Sequence, residues 1–389
     1  MTFQMRVLIV EDDIDEQNSW KRQFDMHNAD TQDTGHGFFI EAQFASTLTN
    51  VRKCIATSNF DAAIVDIRLQ LENGNAAPNT DGNDALKEIL EAEMAAVAAF
   101  TGETKLVDSP EYARGSVRIF VKGGDDGDGT NAVMRWLTEQ APMLEHIQAA
   151  QEAIRREMAK IFAKSIWPRW ANWIVDQPSQ NQVQSAITRH ITSHVYATLQ
   201  ERGNQVAHPE EWYFVPPIRD GLRTGDLLQF AAGLEIVITP RCDLARPATR
   251  GDTIQLAVCE DVSAEWQALV DAVNAAKGAY EAAAAAEGTD TKKPLEKLGA
   301  AEEKLRKFTQ HRSKTNLHFL PQMKLADRSL GPFMVRFDKV RFVERPVNEN
   351  IQFPGVRVAA LTGEFLPSLV ERLGTFFSRI GTPDYSHPN

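Results

Sequence analysis

Short apolar runs alternate with polar, helix-periodic stretches through the first third of the chain. Met5 to Val10 (Met-Arg-Val-Leu-Ile-Val), Phe38 to Ala45, Asp61 to Ile67, Met94 to Phe100 and Ser116 to Val121 each have the length and texture of a strand. Ala62 to Val65 is apolar throughout, the pattern of a strand buried on both faces of a parallel sheet. Between these runs, Asp15 to Met26, Thr47 to Ser58 and Asn83 to Glu91 are spaced as helices. Strand alternating with helix on short connections predicts an α/β fold with a doubly wound, parallel five-stranded sheet.

The pattern then changes twice. Residues from 132 to about 201 are almost wholly helical, with breaks at Trp167-Pro168 and around Gln177-Pro178-Ser179. Trp136, Trp167, Trp170 and Trp173 have the spacing of a packed helical face. From Trp212 the chain turns to short strands: Trp212 to Val215, Leu227 to Phe230, Leu234 to Thr239 and Thr253 to Val258. They resume at Leu317 to Leu320, Phe333 to Phe337 and Val340 to Val343. This predicts a β-rich, barrel-like domain. Ala264 to His311, rich in Ala, Glu and Lys and split at Gly288-Thr289-Asp290, predicts a helical hairpin inserted into it. Pro367 opens a final amphipathic helix to about Ile380, with Phe365, Leu366, Leu369, Leu373, Phe376 and Phe377 on its apolar side. The expected domains are 1–130 (α/β), 131–205 (helical linker) and 206–389 (β-rich, with a helical insertion at 262–313 and a C-terminal helix).

Composition narrows the class. A chain of 389 residues, 43% hydrophobic and 24% charged, has room for two or three globular domains. Its net charge of −11 disfavours a protein that grips nucleic-acid backbone. Cys54, Cys242 and Cys259 lie far apart with no zinc or disulfide spacing, which fits a reducing compartment. No apolar run is long enough to span a bilayer, and Met1 leads directly into a strand without a signal peptide. A cytoplasmic protein without a membrane partner is the expectation.

Chemistry enters at the strand ends. The first strand finishes on Glu11, Asp12 and Asp13, and the third on Asp66. In an open α/β sheet that edge is where ligands bind, and two strands delivering carboxylates to it gather enough charge to need a cation. In chain order the edge residues are Glu11, Asp12, Asp66, Thr101 and Lys122. Together with Val-Leu-Ile-Val-Glu-Asp-Asp at 7–13, Phe-Asp-Ala-Ala-Ile-Val-Asp-Ile-Arg-Leu at 60–69, Asp81-Gly82, Ala99-Phe100-Thr101-Gly102 and Arg118-Ile119-Phe120-Val121-Lys122, this set resembles the receiver (CheY-like) domain of two-component response regulators.

The resemblance covers about a third of the chain and implies specific roles. Asp66 would accept a phosphoryl group from a histidine kinase or phosphotransfer protein. Glu11, Asp12 and Asp66, with the backbone carbonyl of Arg68, would hold Mg²⁺. Lys122 and Thr101 would bind phosphoryl oxygens. The C-terminal module resembles no standard output domain and implies a protein partner; an oligomer is compatible with it. Three departures stand out: Asp81-Gly82 lies further beyond Asp66 than the family usually has it, so the intervening loop is enlarged; Gly123 follows Lys122 where the family has proline; and the fourth strand is Ala-rich, with a weakly patterned segment from Gly102 to Gly115 after it.

Other candidates carry less. Asp126-x-Asp128-x-Thr130 has the start of a calcium loop, but the twelfth position would be Leu137, which cannot ligate. Thr239-Pro240-Arg241-Cys242-Asp243-Leu244, with Arg246 and Arg250 nearby, reads as a strand-to-turn junction with a half-buried thiol or as a binding edge. Arg189 and His194 match the short Arg-x4-His pattern of HEPN-like ribonucleases, which makes a receiver-gated effector enzyme the alternative to a purely signalling protein. His190 and His194, at i and i+4, have metal-sharing spacing but no evident third ligand.

Overall fold

The structure is a computed structural model that describes residues 2–69, 81–123, 129–174, 180–200, 207–218, 220–249, 251–286, 290–310, 314–345 and 354–378. The enlarged loop at 70–80, the acidic stretch 124–128 and the helix breaks at 175–179 and 287–289 lie outside the described residues. So do Arg250, His311 and the expected helix end at Ile380. The chain divides into two compact units, Met1–Gly203 and Asn204–Asn389.

In the first unit β1 (Phe3–Val10), β2 (Phe38–Ala45), β3 (Ala62–Val65), β4 (Ala96–Thr101) and β5 (Arg118–Val121) form one sheet in the order β2-β1-β3-β4-β5. Every pairing is parallel. Alternation along β1 sorts its side chains between two cores. Met5, Val7 and Ile9 meet Trp20 and Phe24 of α1 (Ile14–Thr34) and Val133, Leu137 and Leu144 of a later helix. Leu8 and Val10 meet Val51 of α2 (Leu48–Thr57) and Leu86 and Ile89 of α3 (Asp81–Ala92). The expected doubly wound sheet is present, with β3 buried along its whole length.

One connection differs from the sequence expectation. α1 runs well past Met26 and stops at Gly35, whose φ of 68° gives a left-handed cap. Its last turns are polar because they cover the open edge of β2. The Asn28 amide donates to Ile40 O at 2.9 Å and accepts from Ile40 N at 2.7 Å, while Thr31 donates its hydroxyl to Phe38 O at 3.1 Å. Those side chains occupy backbone groups that another strand would otherwise claim. Between β4 and β5 there are only two single 3₁₀ turns, Thr104–Leu106 and Glu111–Ala113, leaving Ile119 and Val121 of β5 exposed.

α4 (Gly129–Ile161) begins beside the expected boundary at 130, and its first turns complete the sheet core through Val133, Met134, Leu137, Ala141 and Leu144. It continues into a π turn (Phe162–Ile166), a 3₁₀ turn (Trp167–Arg169) and the short α5 (Trp170–Ile174); α6 (Gln180–Gln200) follows. The four tryptophans do not form one packed face. Trp136 packs against Phe120 with ring centroids 5.9 Å apart, whereas Trp167 and Trp170 are exposed because they lie past the part of α4 that the sheet covers.

The second unit is a curled antiparallel sheet. Its strands are β6 (Tyr213–Phe214), β7 (Asp226–Phe230), β8 (Gly233–Val237), β9 (Thr253–Asp261), β10 (Leu317–Leu320), β13 (Phe333–Glu344) and β14 (Val356–Leu361); β11 (Met323–Lys324) and β12 (Ser329–Leu330) pair separately. The order β10-β13-β9-β8-β7-β14-β6 leaves β10 and β6 at opposite edges. The Tyr213 hydroxyl donates to Pro321 O, just past β10, at 2.7 Å, so the curl brings one edge round to the other as a half-barrel. A one-turn α7 (Arg241–Leu244) follows β8. The inserted hairpin is α8 (Ser263–Ala285) and α9 (Lys292–Gln310), rooted through Trp266 and Phe308 on Phe319. α10 (Leu366–Phe377) buries Leu369 and packs Leu366, Leu373 and Phe376 on the sheet.

Candidate functional site

β1 and β3 are neighbours and run the same way, so their carboxyl ends open on one edge. In this strand order that edge is the topological switch point, where the chain leaves β1 toward one side of the sheet and β3 toward the other. The ladder continues just past the strands and fixes the backbone there. Asp66 N donates to Val10 O at 2.8 Å and Glu11 N to Ala45 O at 2.9 Å. The carboxylates of Glu11, Asp12 and Asp66 each place an oxygen within 4.8 Å of the others. Asp13 turns away to cap α1, accepting from Asp15 N at 2.7 Å and Glu16 N at 3.2 Å.

Lys122, one residue beyond β5, reaches into this pocket. Its Nζ donates to Glu11 Oε2 at 2.5 Å and Asp66 Oδ2 at 2.8 Å, and lies 5.6 Å from the centre of the Phe100 ring. Burial works against the ammonium's charge, but the hydrogen bonds to Asp66 and Glu11 outweigh it and hold the Lys122 pKa above the ordinary lysine value. Burial also pushes the Glu11 carboxyl up, and Lys122 offsets this only in part. Three carboxylates and one ammonium leave a formal charge of −2 at the pocket. That donor set, hard oxygens from carboxylates with two negative charges in excess, suits a divalent cation such as Mg²⁺.

The other predicted residues flank the pocket. Arg68 N donates to Asp66 Oδ1 at 3.2 Å, and the Arg68 guanidinium pairs with Glu103. Thr101 is buried at the end of β4, where its hydroxyl accepts from Glu103 N at 3.2 Å and its carbonyl from Lys122 N at 3.1 Å. The Arg68–Glu103 pair therefore links the loop after β3 to the loop after β4, a contact no sequence pattern announced. Gly82 was visible only as part of Asp81-Gly82. A Cβ there would fall 2.2 Å from Asp66 O and 2.5 Å from Ile67 Cα, so α3 can sit against the acid's backbone only with glycine. Asn83 ties α3 to the loop after β4, donating to Leu106 O at 2.8 Å and accepting from Asp108 N at 3.0 Å.

The nuclease pair is not assembled. Arg189 and His194 are five residues apart on α6, about 140° around the helix, and therefore point in different directions. Both are exposed; His194 lies instead against His190, with ring centroids 4.2 Å apart. Among the described residues the acidic trio is the one group with metal-ligand geometry, so His190 and His194 gain no third ligand. Cys242 is exposed on α7 rather than half-buried, because the turn after β8 points it outward, and its Sγ is 3.7 Å from Asp243 Oδ1. The same turn lines an open cleft of about 400 Å³ with Asp243, Arg246, Asp252 and Arg345. No described helix is long and apolar enough to cross a membrane.

No protein-family model matches the chain, and no curated protein matches its sequence. Among solved structures, the response regulator TrrA of Thermotoga maritima, in complex with Mg²⁺ and BeF, is 17% identical over 34% of this chain and 97% of that one, with a TM-score of 0.22. A trimeric coiled-coil segment of yeast Spc42, fused to a second protein, is 15% identical over 51% of this chain and 98% of that one, with a TM-score of 0.25. Likeness this weak assigns no residue a role. The strand order is that of flavodoxin-like doubly wound sheets, and the carboxylate pocket lies at their usual ligand-binding edge.

Proposed function

We propose that the first unit is a phosphorylatable receiver and that Asp66 is its phosphoacceptor. The observation that carries this reading is the single pocket in which Lys122 bridges Glu11 and Asp66 at the β1/β3 switch point. Phosphoryl transfer asks the protein mainly to position the reactants and neutralise charge. Asp66 attacks the phosphorus of a phosphohistidine donor, a P–O bond forms as the P–N bond breaks, and the departing imidazole keeps the electron pair. The product is an acyl phosphate on Asp66. Glu11, Asp12 and Asp66, with the Arg68 carbonyl, would hold Mg²⁺, which when bound neutralises phosphoryl oxygens. Lys122 exchanges a carboxylate for a phosphoryl oxygen, and Thr101 gives up its turn contact to hydrogen-bond another. The donor is a histidine kinase or phosphotransfer protein, and the second unit relays the state to a protein partner.

Beryllium fluoride with Mg²⁺ tests the pocket without turnover. Wild-type protein is expected to bind it, with Lys122→Ala weakening the complex about tenfold or more through loss of a charge-assisted contact. Equal binding by wild type and Lys122→Ala would show that the ammonium does not hold a phosphoryl oxygen.

A further inference from the structure

A second polar cluster lies well along the chain from the carboxylate pocket, where α4 ends. Pro168 has no N–H to give to the carbonyl four residues back, so the regular ladder cannot continue through it. The helix widens instead into the π turn Phe162–Ile166, a local irregularity that often marks functional positions. Ser165 and Arg169 come together there. Arg169 Nε donates to Ser165 O at 3.0 Å and its Nη2 to Ser165 Oγ at 2.6 Å. From α6, His190 Nε2 lies 2.8 Å from the same Oγ. A guanidinium only donates, so Oγ accepts from Arg169, and its second lone pair or its proton serves His190 according to the ring's tautomer. The His194 ring lies against His190, and the Trp173 ring meets His190 edge-on with centroids 4.9 Å apart.

The cluster holds one fixed cation and two imidazoles that can each take a proton. Among the described residues, none of the three has a carboxylate partner. Burial first, and then the neighbouring His194 and Arg169, hold the His190 pKa below the ordinary histidine value. This occurs in a chain with 53 acidic and 42 basic residues, where acids to neutralise it are plentiful. A tetrahedral oxyanion would turn each repulsion into an attraction. It could accept from Arg169, from the serine hydroxyl and from both imidazolium groups. A phosphate group, whose second ionisation lies near pH 6, matches histidine titration better than a carboxylate does.

We propose that Ser165, Arg169, His190 and His194 form a binding site for a phosphate group, either inorganic phosphate or a small phosphomonoester, that staples the end of α4 to α6. The site stands apart from Asp66 and does not depend on the receiver reading.

The test uses the full chain with Asp66→Asn and EDTA, so that the carboxylate pocket does not report. Imidazole resonances of His190 and His194 are followed by NMR as inorganic phosphate, and separately glycerol phosphate, is added. Both rings are expected to shift saturably when phosphate is bound. Arg169→Gln is expected to weaken binding about tenfold, whereas Arg189→Gln, on another side of α6, leaves it unchanged. Saturation by both ligands would mean that the site admits a phosphomonoester; saturation by inorganic phosphate alone would identify the free ion as its ligand. Absence of a saturable shift would overturn the proposal. Equal weakening by the two arginine variants, or binding of a single-stranded oligonucleotide without any response to phosphate, would overturn it as well.

Discussion

Lys122 neutralises two acidic side chains that would otherwise face each other across the end of the sheet. Replacing it with alanine leaves Glu11 and Asp66 buried without their cation, at a cost of about 2–3 kcal/mol after allowance for the pocket's partial exposure. Mg²⁺ should return much of that stability, because a ligand that binds only the folded state stabilises it by mass action. Thermal melts with and without Mg²⁺ are therefore expected to separate further for Lys122→Ala than for wild type; equal separation would mean that the acids do not share a cation. Gly82 makes a sharper demand. Gly82→Ala sets a methyl group against the backbone of Asp66 and Ile67, which must move. A loss of about 2–3 kcal/mol in urea unfolding is expected, with weakened phosphorylation at Asp66.

At the scale of elements, the cover over β2 and the ion pairs beside β9 make separate predictions. Asn28→Ala leaves the Ile40 backbone groups without their partner and should cost about 1–2 kcal/mol. Hydrogen exchange at the Ile40 amide should accelerate; unchanged protection would mean that the amide is held some other way. In the second unit Arg336 holds Asp338 well below the ordinary carboxylate range, and Lys339 with Arg336 lowers Glu260 as well. Because these folded-state values are depressed, their contribution is complete above the unfolded values near pH 4. It disappears as the pH falls through the folded ones. Arg336→Met should therefore cost stability at pH 7, by about 1 kcal/mol given how exposed the cluster is, and the gap should close toward pH 2. A gap that stayed constant down to that pH would assign the loss to packing. The same elements show where the sequence was informative. β3, β4 and the Val7–Val10 half of β1 were legible because burial on both faces demands unbroken apolar runs. The end of α1 was not, since Asn28 and Thr31 serve a neighbouring strand rather than the helix's own periodicity. The lysine and acids were readable as strand-end residues, while the Arg68–Glu103 bridge and the Ser165–His190 contact arise only from tertiary placement.

Across the first unit, one helix, α4, runs from the sheet to the π turn and the short helix α5. α4 starts against the sheet, where a Cβ on Gly129 would fall 2.9 Å from the Phe100 ring, and that ring lies beneath the Lys122 ammonium. A phosphoryl group on Asp66 that repositioned Lys122 would thus act on a ring beside the first turn of α4. Hydrogen exchange should change in the first turns of α4 when Mg²⁺ and beryllium fluoride are added, and Lys122→Ala should abolish the change; an unaltered α4 in wild type would separate the pocket from the helix.

The most direct measurement is to treat the full chain with acetyl phosphate and Mg²⁺, trap any acyl phosphate by borohydride reduction, and locate it by mass spectrometry. The account predicts modification at Asp66, lost in Asp66→Asn and in EDTA. Modification at another residue, or none at saturating Mg²⁺, would contradict it.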